Sequence, residues 1–177
     1  SFHLHLYAKF GFRPAWTGVG LKKQLEVDEA ATLAEPPPPL QHPEVPLPDL
    51  GYLYPGLDPA AEVRAILNRR SGRVFATDRS LAVVLLADAF HVSVQDAFVP
   101  LLIAPDRDAF VAMVAATETA AREAGKKTIS VRLSGSCWGA FQALVERGYR
   151  AGTSMLRMKA GENLDYDRDA WYCDDWL

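Results

Sequence analysis

The sequence predicts an α/β fold, a central mixed β-sheet flanked by helices, and three observations carry that expectation. Apolar runs of strand length alternate with stretches whose apolar residues recur at helical spacing. The strand signals in the first half of the main body are close together, as in antiparallel hairpins. The second half then reads strand, helix, strand, helix, strand. The 177 residues, 49% of them hydrophobic and 23% charged, have the composition of a globular chain long enough to bury one core.

Taken in order, the N-terminal piece (residues 1–34) contains a helix ending at Gly11 and at least one strand before residue 25. Pro36-Pro37-Pro38-Pro39 and then Pro43, Pro46 and Pro48 place most of the twelve prolines in one short segment. Proline fixes φ and removes a backbone donor, so residues 35–50 are expected to be an extended spacer. The main body begins at Gly51. Asp58-Pro59 offers a helix start, with Val63, Ile66 and Leu67 on one face and Ser71-Gly72 as the stop. Residues 73–77 and 81–87 flank the polar turn Asp78-Arg79-Ser80, which predicts a hairpin. Residues 90–94 and 98–104 are further strand candidates, the second apolar enough for burial on both faces. Pro105-Asp106 opens a helix carrying Phe110, Met113, Val114, Thr117 and Ala121, closed by Gly125. Residues 128–133 follow as a strand. Ser136 is expected to cap a helix bearing Phe141, Leu144 and Val145 and stopped by Gly148, and residues 153–159 form a last strand.

Composition excludes several functions. A formal charge of −3 with no long Lys/Arg run offers no basic face for nucleic acid. The longest apolar runs are far shorter than the ~20 residues that a membrane-spanning helix needs. Two cysteines without a CxxC pair fit neither a disulfide scaffold nor a zinc site, so a reducing cytoplasm is the expectation. The start lacks a basic signal-peptide region and a Met, so the chain is expected to open inside something larger.

Most single candidates read as structure. His3 and His5, two apart on a helix, would diverge rather than share a metal. His91 sits in a strand candidate. Cys137 stands at a helix start, where the dipole lowers a thiol pKa, but no base accompanies it. Ser134-Gly135-Ser136 is a turn and cap. The tail interleaves Asp165, Asp167, Asp169, Asp174 and Asp175 with Tyr166, Trp171, Tyr172 and Trp176. Such a strip suits a cationic amine, with Asp165, Asp167 and Trp171 as substrate-binding candidates. The plainer expectation is a tail docking its aromatics on the sheet with its acids in water.

One internal similarity matters more. Leu6-Tyr7-Ala8-Lys9-Phe10-Gly11-Phe12-Arg13 recurs as Ala143-Leu144-Val145-Glu146-Arg147-Gly148-Tyr149-Arg150, and each copy leads into a strand ending in lysine, at Lys22 and Lys159. Tyr7-Ala8-Lys9-Phe10-Gly11-Phe12 resembles the end of the last core helix in the GNAT superfamily of acetyl-CoA-dependent N-acetyltransferases, and the element order from Asp58 onward is similar to the family's. The resemblance implies the GNAT fold and acetyl transfer from acetyl-CoA to a small-molecule or peptide amine. It implies Tyr7 as proton donor to the departing thiolate. It further implies residues 1–34 as the remnant of a first lobe, 35–50 as linker and 51–177 as a second lobe.

That second lobe departs from the family's pattern. The family's pyrophosphate loop is Gln/Arg-x-x-Gly-x-Gly/Ala, because glycines let backbone N–H groups approach phosphate. Here the place is Ala104-Pro105-Asp106-Arg107-Asp108-Ala109, with no glycine, one N–H fewer and two carboxylates. Leu144 stands where the tyrosine would be. The second lobe is therefore expected to be non-catalytic and to bind no cofactor in the usual way. A GNAT-like ligand-binding or protein-interaction module is the other reading, and a homo-oligomer is a possible assembly.

Overall fold

The computed structural model describes residues 2–25, 37–53, 56–87, 94–159 and 171–174. Its elements are α1 (Phe2–Lys9), β1 (Arg13–Gln24), α2 (Ala60–Arg69), β2 (Gly72–Ala76), β3 (Leu81–Leu85), β4 (Asp96–Ala104), α3 (Arg107–Glu123), β5 (Thr128–Ser134), α4 (Trp138–Glu146), β6 (Arg150–Lys159) and β7 (Trp171–Asp174). The strands form one seven-stranded mixed sheet in the order β2-β3-β4-β5-β1-β6, with β7 added on β4. β4 and β5 run parallel, and the other pairs are antiparallel.

The core lies where the sequence places its apolar runs. Val99 and residues 101–104 of β4 are fully buried, as expected for a strand covered on both faces. Phe110, Met113, Val114, Thr117 and Ala121 form the buried stripe of α3. Asp106 caps that helix, its Oδ1 accepting from the Ala109 N–H at 2.9 Å, and Gly125 ends the turn with φ +70°.

Several boundaries differ from the sequence expectation, and two of them have a visible cause. α2 ends at Arg70, which itself takes the left-handed conformation (φ 53°), before Ser71-Gly72 is reached. Gly72 instead serves the sheet. A Cβ there would lie 2.1 Å from the Val84 carbonyl oxygen, so only glycine lets β2 lie against β3. α4 is preceded by Cys137 rather than Ser136 at the cap position, because the Ser136 hydroxyl is 2.8 Å from that of Ser134 and is used within the turn. The strand expected at residues 90–94 falls largely outside the described residues.

Residues 13–24 of the N-terminal piece are part of the sheet. β1 lies between β5 and β6, pairing Gly18 to Gln24 with Ser134 to Thr128 on one side and Arg13 to Lys22 with Lys159 to Arg150 on the other. Lys23 of β1 also reaches Glu118 of α3 at 3.4 Å, and Lys22 reaches Asp96 of β4 at 2.9 Å. The proline segment is laid along β2, with Pro39 bridging Phe75 and the Leu40 N–H donating to the Val74 carbonyl at 2.7 Å. Leu50 and Leu53 beyond it enter the core.

Candidate functional site

β4 changes partner halfway along its length. Its first half, 96–99, pairs with residues 128–131 of β5, whereas 101–104 pair with β7: Leu101 with Asp174, Leu102 with Cys173, Ile103 with Tyr172 and Ala104 with Trp171. The change falls at Pro100, which has no N–H to give to a ladder. The opening that the parting of β4 and β5 creates is thus occupied by the chain's own β7.

The contacts of β7 are close. The Trp171 ring packs on Phe110 with centroids 5.7 Å apart, and a Cβ on Gly139 would lie 2.9 Å from Trp171 Cη2. Gly139 of α4 is therefore what allows the benzo ring of the indole to come this close to that helix. Tyr172 and Cys173 are fully buried. Trp171 thus sits in a strand wedged against the starts of α3 and α4, while Asp165 and Asp167, its proposed companions around an amine, lie outside the described residues. Trp171 and Tyr172 of the tail dock on the sheet, through a strand that the acidic surroundings did not announce, whereas Tyr166 and Trp176 lie outside the described residues.

The loop after β4 brings two carboxylates, Asp106 and Asp108, to a helix start. Asp106 fills the N-terminal end of α3, and this end carries the positive half of the helix dipole. Arg107 is committed to Glu146 of α4, Nη2 to Oε2 2.6 Å. Tyr52 stands at the rim, donating to the Arg79 carbonyl at 2.8 Å, with the Arg79 guanidinium 4.8 Å from its ring centroid. Burial pushes its hydroxyl up to about 12; Arg79 opposes the shift and Asp106 adds to it.

A second cluster surrounds Glu118, which is buried on α3. Arg147 Nη2 lies 2.9 Å away, Lys23 Nζ 3.4 Å and Arg122 Nη2 3.5 Å. One carboxylate thus joins β1, α3 and the end of α4. Burial, together with the negative charge of Glu118, pushes the Tyr149 phenol well above its ordinary range. Neither this cluster nor the role of Gly139 was read from the sequence. The available signals were a glutamate inside an apolar helix stripe and a glycine inside a helix.

The two copies of the repeat share one backbone geometry. In the first, the Phe12 N–H donates to the Tyr7 carbonyl at 3.1 Å and Gly11 has φ +81°; in the second, the Tyr149 N–H donates to the Leu144 carbonyl at 3.0 Å and Gly148 has φ +87°. Tyr7 is 45% exposed, its ring 5.6 Å from that of Phe12. Cys137 is buried, as a small core residue would be. The side chains of His3 and His5, and all of His91, lie outside the described residues. Among the described residues no group of three His, Cys, Asp or Glu is placed to hold a metal, and no helix is long and apolar enough to cross a membrane. A cavity of about 690 Å³ lies elsewhere, between the proline segment, β2 and α3, lined by Pro38, Arg73, Phe75, Thr119 and Glu123 among others.

No family model and no curated protein matches the chain. Among solved structures it is similar to a protein from Pyrococcus horikoshii described as a "putative acetyltransferase", with a TM-score of 0.67 at 16% identity. The match covers 97% of this chain and 54% of that one, so the chain spans about half the length of its structural neighbour. At that identity the likeness establishes architecture: the chain has an acetyltransferase-like fold of mixed sheet and flanking helices.

Proposed function

We propose that this chain is the C-terminal portion of a GNAT-type N-acetyltransferase, which transfers acetyl from acetyl-CoA to an amine, and that residues 51–177 form a lobe without transfer activity of its own. Residues 1–34 then belong to a first lobe, and 35–50 link the two. The observation that carries this reading is β7. It occupies the space between the second half of β4 and β5, with Trp171 seated on Phe110 and Gly139. Asp106, Asp108 and the Arg107–Glu146 ion pair make the adjoining loop unfavourable for phosphate.

The residue of this chain assigned to the chemistry is Tyr7. A phenol at the end of a helix serves as general acid by giving its proton to the sulfur of the departing thiolate as the amine takes the acetyl group. Tyr7 is partly open to its surroundings, as such a role requires, whereas Leu144 in the second copy has no proton to give.

Isothermal titration and an acetyl-transfer assay test the reading. The 177-residue chain should neither bind acetyl-CoA at micromolar concentration nor turn it over. The natural polypeptide that includes the first lobe should do both, and Tyr7→Phe should lower its kcat about 10²-fold or more, in line with general acid catalysis. Turnover by the 177-residue chain would overturn the assignment of a non-catalytic lobe. A natural polypeptide that binds no acetyl-CoA would favour the non-enzymatic module.

A further inference from the structure

The two copies of the repeat are separated by a constant 137 residues, Gly11 to Gly148 and Arg13 to Arg150. The strands that leave them, β1 and β6, pair with each other, and their register obeys two-fold exchange. Arg13 pairs with Lys159, and their counterparts Arg150 and Lys22 pair in turn. Thr17 with Leu156 is matched by Val19 with Ser154, Pro14 with Met158 by Leu21 with Ala151, and Trp16 with Arg157 by Gly20 with Thr153. Gly18 pairs with Met155, its own counterpart, so the local axis passes between them. Even the irregularities are exchanged: the ladder skips Ala15 on one strand and the corresponding Gly152 on the other. A chance pairing of two strands would not place both bulges symmetrically.

The surroundings of this pair obey the symmetry on one side only. β1 is covered by β5, Gly18 opposite Ser134 and Lys22 opposite Ser130. β6 has β1 on one side and, among the described residues, no strand on the other. Along the stretch that corresponds to the β5-covered part of β1, Leu156 is 41% exposed and Met155, Arg157 and Met158 are half-buried. An open strand edge of this kind is a template for another strand.

We propose that the outer edge of β6 receives, antiparallel, a β5-type strand from a first lobe that precedes Ser1 in the natural polypeptide, so that one continuous sheet runs through both lobes. The symmetry fixes the register. Ser134 lies four positions ahead of Trp138, the counterpart of Ser1, and Ser130 lies eight ahead. Met155 therefore faces the residue about four positions ahead of Ser1, and Lys159 the residue about eight ahead, when the two strand-to-helix loops match in length. The same operation brings a lobe against α1, over Leu6, Tyr7 and Phe10. This inference rests on the tandem arrangement proposed above, but not on acetyl transfer.

Cysteine cross-linking in the natural polypeptide tests it. Leu156→Cys is paired with a single cysteine scanned through the ten or so positions ahead of Ser1. Cys137 and Cys173 are buried and do not compete. Intramolecular disulfide yield should peak within one residue of the fifth position, the counterpart of Leu133, which faces Val19. Amide exchange in residues 155–159 should also be at least tenfold slower in that polypeptide than in the 177-residue chain. A peak elsewhere, no cross-link, cross-links between two copies, equal exchange, or a natural chain with nothing ahead of Ser1 would each overturn the proposal. The cross-link is read independently of turnover, so a Tyr7→Phe protein that cross-links normally but shows unchanged kcat would sink the catalytic reading and leave this one standing.

Discussion

α1 and α4 carry the same local message and meet opposite fates. Both are short helices closed by a glycine in the left-handed region and an aromatic residue, with matching hydrogen bonds across the turn. Leu144 on α4 is fully buried, whereas Tyr7, its counterpart on α1, is 45% exposed and Phe10 is 72% exposed. The difference lies in what stands beside each helix. α4 rests on α3 and β7, with Tyr149 behind it; among the described residues nothing comparable covers α1. Local sequence sets the helix and its stop, and burial is set by neighbours far away in the chain. The C-terminal ends differ as well. Arg147 anchors α4 to the buried Glu118, and its counterpart is Phe10, which has no charge to pair.

The most severe way to break this contrast is to remove the anchor. Glu118→Ala leaves Arg147, Lys23 and Arg122 without their shared carboxylate in a largely dry site. Breaking a buried ion pair from one side costs about 3–5 kcal/mol. Urea unfolding of the variant should show a loss of that order, and a loss below about 1 kcal/mol would mean that the cluster is solvated and does not hold α4 and β1 to α3.

Next in size is the direct comparison of counterparts. Leu144→Ala should cost about 2–5 kcal/mol, the range for emptying a fully buried leucine site. Tyr7→Ala in the same chain should stay within about 1 kcal/mol, because nearly half of the residue already faces water. Equal losses in the two variants would mean that α1 is covered in solution by something else.

What the sequence disclosed and withheld follows from the same contrast. Helix stripes such as Phe110, Met113 and Val114, the glycine stops at Gly11, Gly125 and Gly148, and the apolar run of β4 were legible because each depends on residues a few positions apart. The repeat was legible as well. The position of β1 between β5 and β6 was not, since its register joins residues more than a hundred positions apart. β7 was hidden for a second reason. Its short length and the aspartates around it in the sequence resemble a solvated tail, and only the parting of β4 from β5 at Pro100 creates a slot for it. Gly139 is intelligible only once Trp171 is known to lie on it.

The aromatic anchors give a smaller, pH-dependent distinction. The second copy has a phenol at Tyr149 where the first has Phe12. The Tyr149 hydroxyl is held well above its ordinary value of 10.0, first by burial and then by the charge of Glu118. With the folded pKa raised, the native state keeps a proton that the unfolded chain gives up above pH 10 or so. The contribution is therefore fully present below about pH 10 and is lost as pH rises beyond it. Tyr149→Phe, which copies the first unit, removes that titration. Its stability should fall less steeply between about pH 10 and 12 than that of the parent chain, as followed by denaturant unfolding across that window. Parallel curves would mean that the phenol ionises alike in both states.

The smallest effect on stability, and the sharpest on behaviour, belongs to Phe10. It stands at the end of α1 with Leu6 and Tyr7, all three exposed, and together they form an apolar surface of the kind that drives association. Phe10→Arg gives the first copy the residue that the second copy has at Arg147. In the 177-residue chain the new cation faces water at a helix C-terminus, where the dipole favours it by a few tenths of a kcal/mol. Unfolding stability should thus stay within about 0.5 kcal/mol of the parent chain. Self-association is another matter, because burying a phenylalanine is worth about 1.5–3 kcal/mol and two facing copies would bury two of them. Light scattering over a concentration series should show the parent chain associating and the variant shifted toward the monomer mass. If both give the same mass at every concentration, the exposed face of α1 is not where copies of this chain meet, and the contrast between the two helices ends at the single molecule.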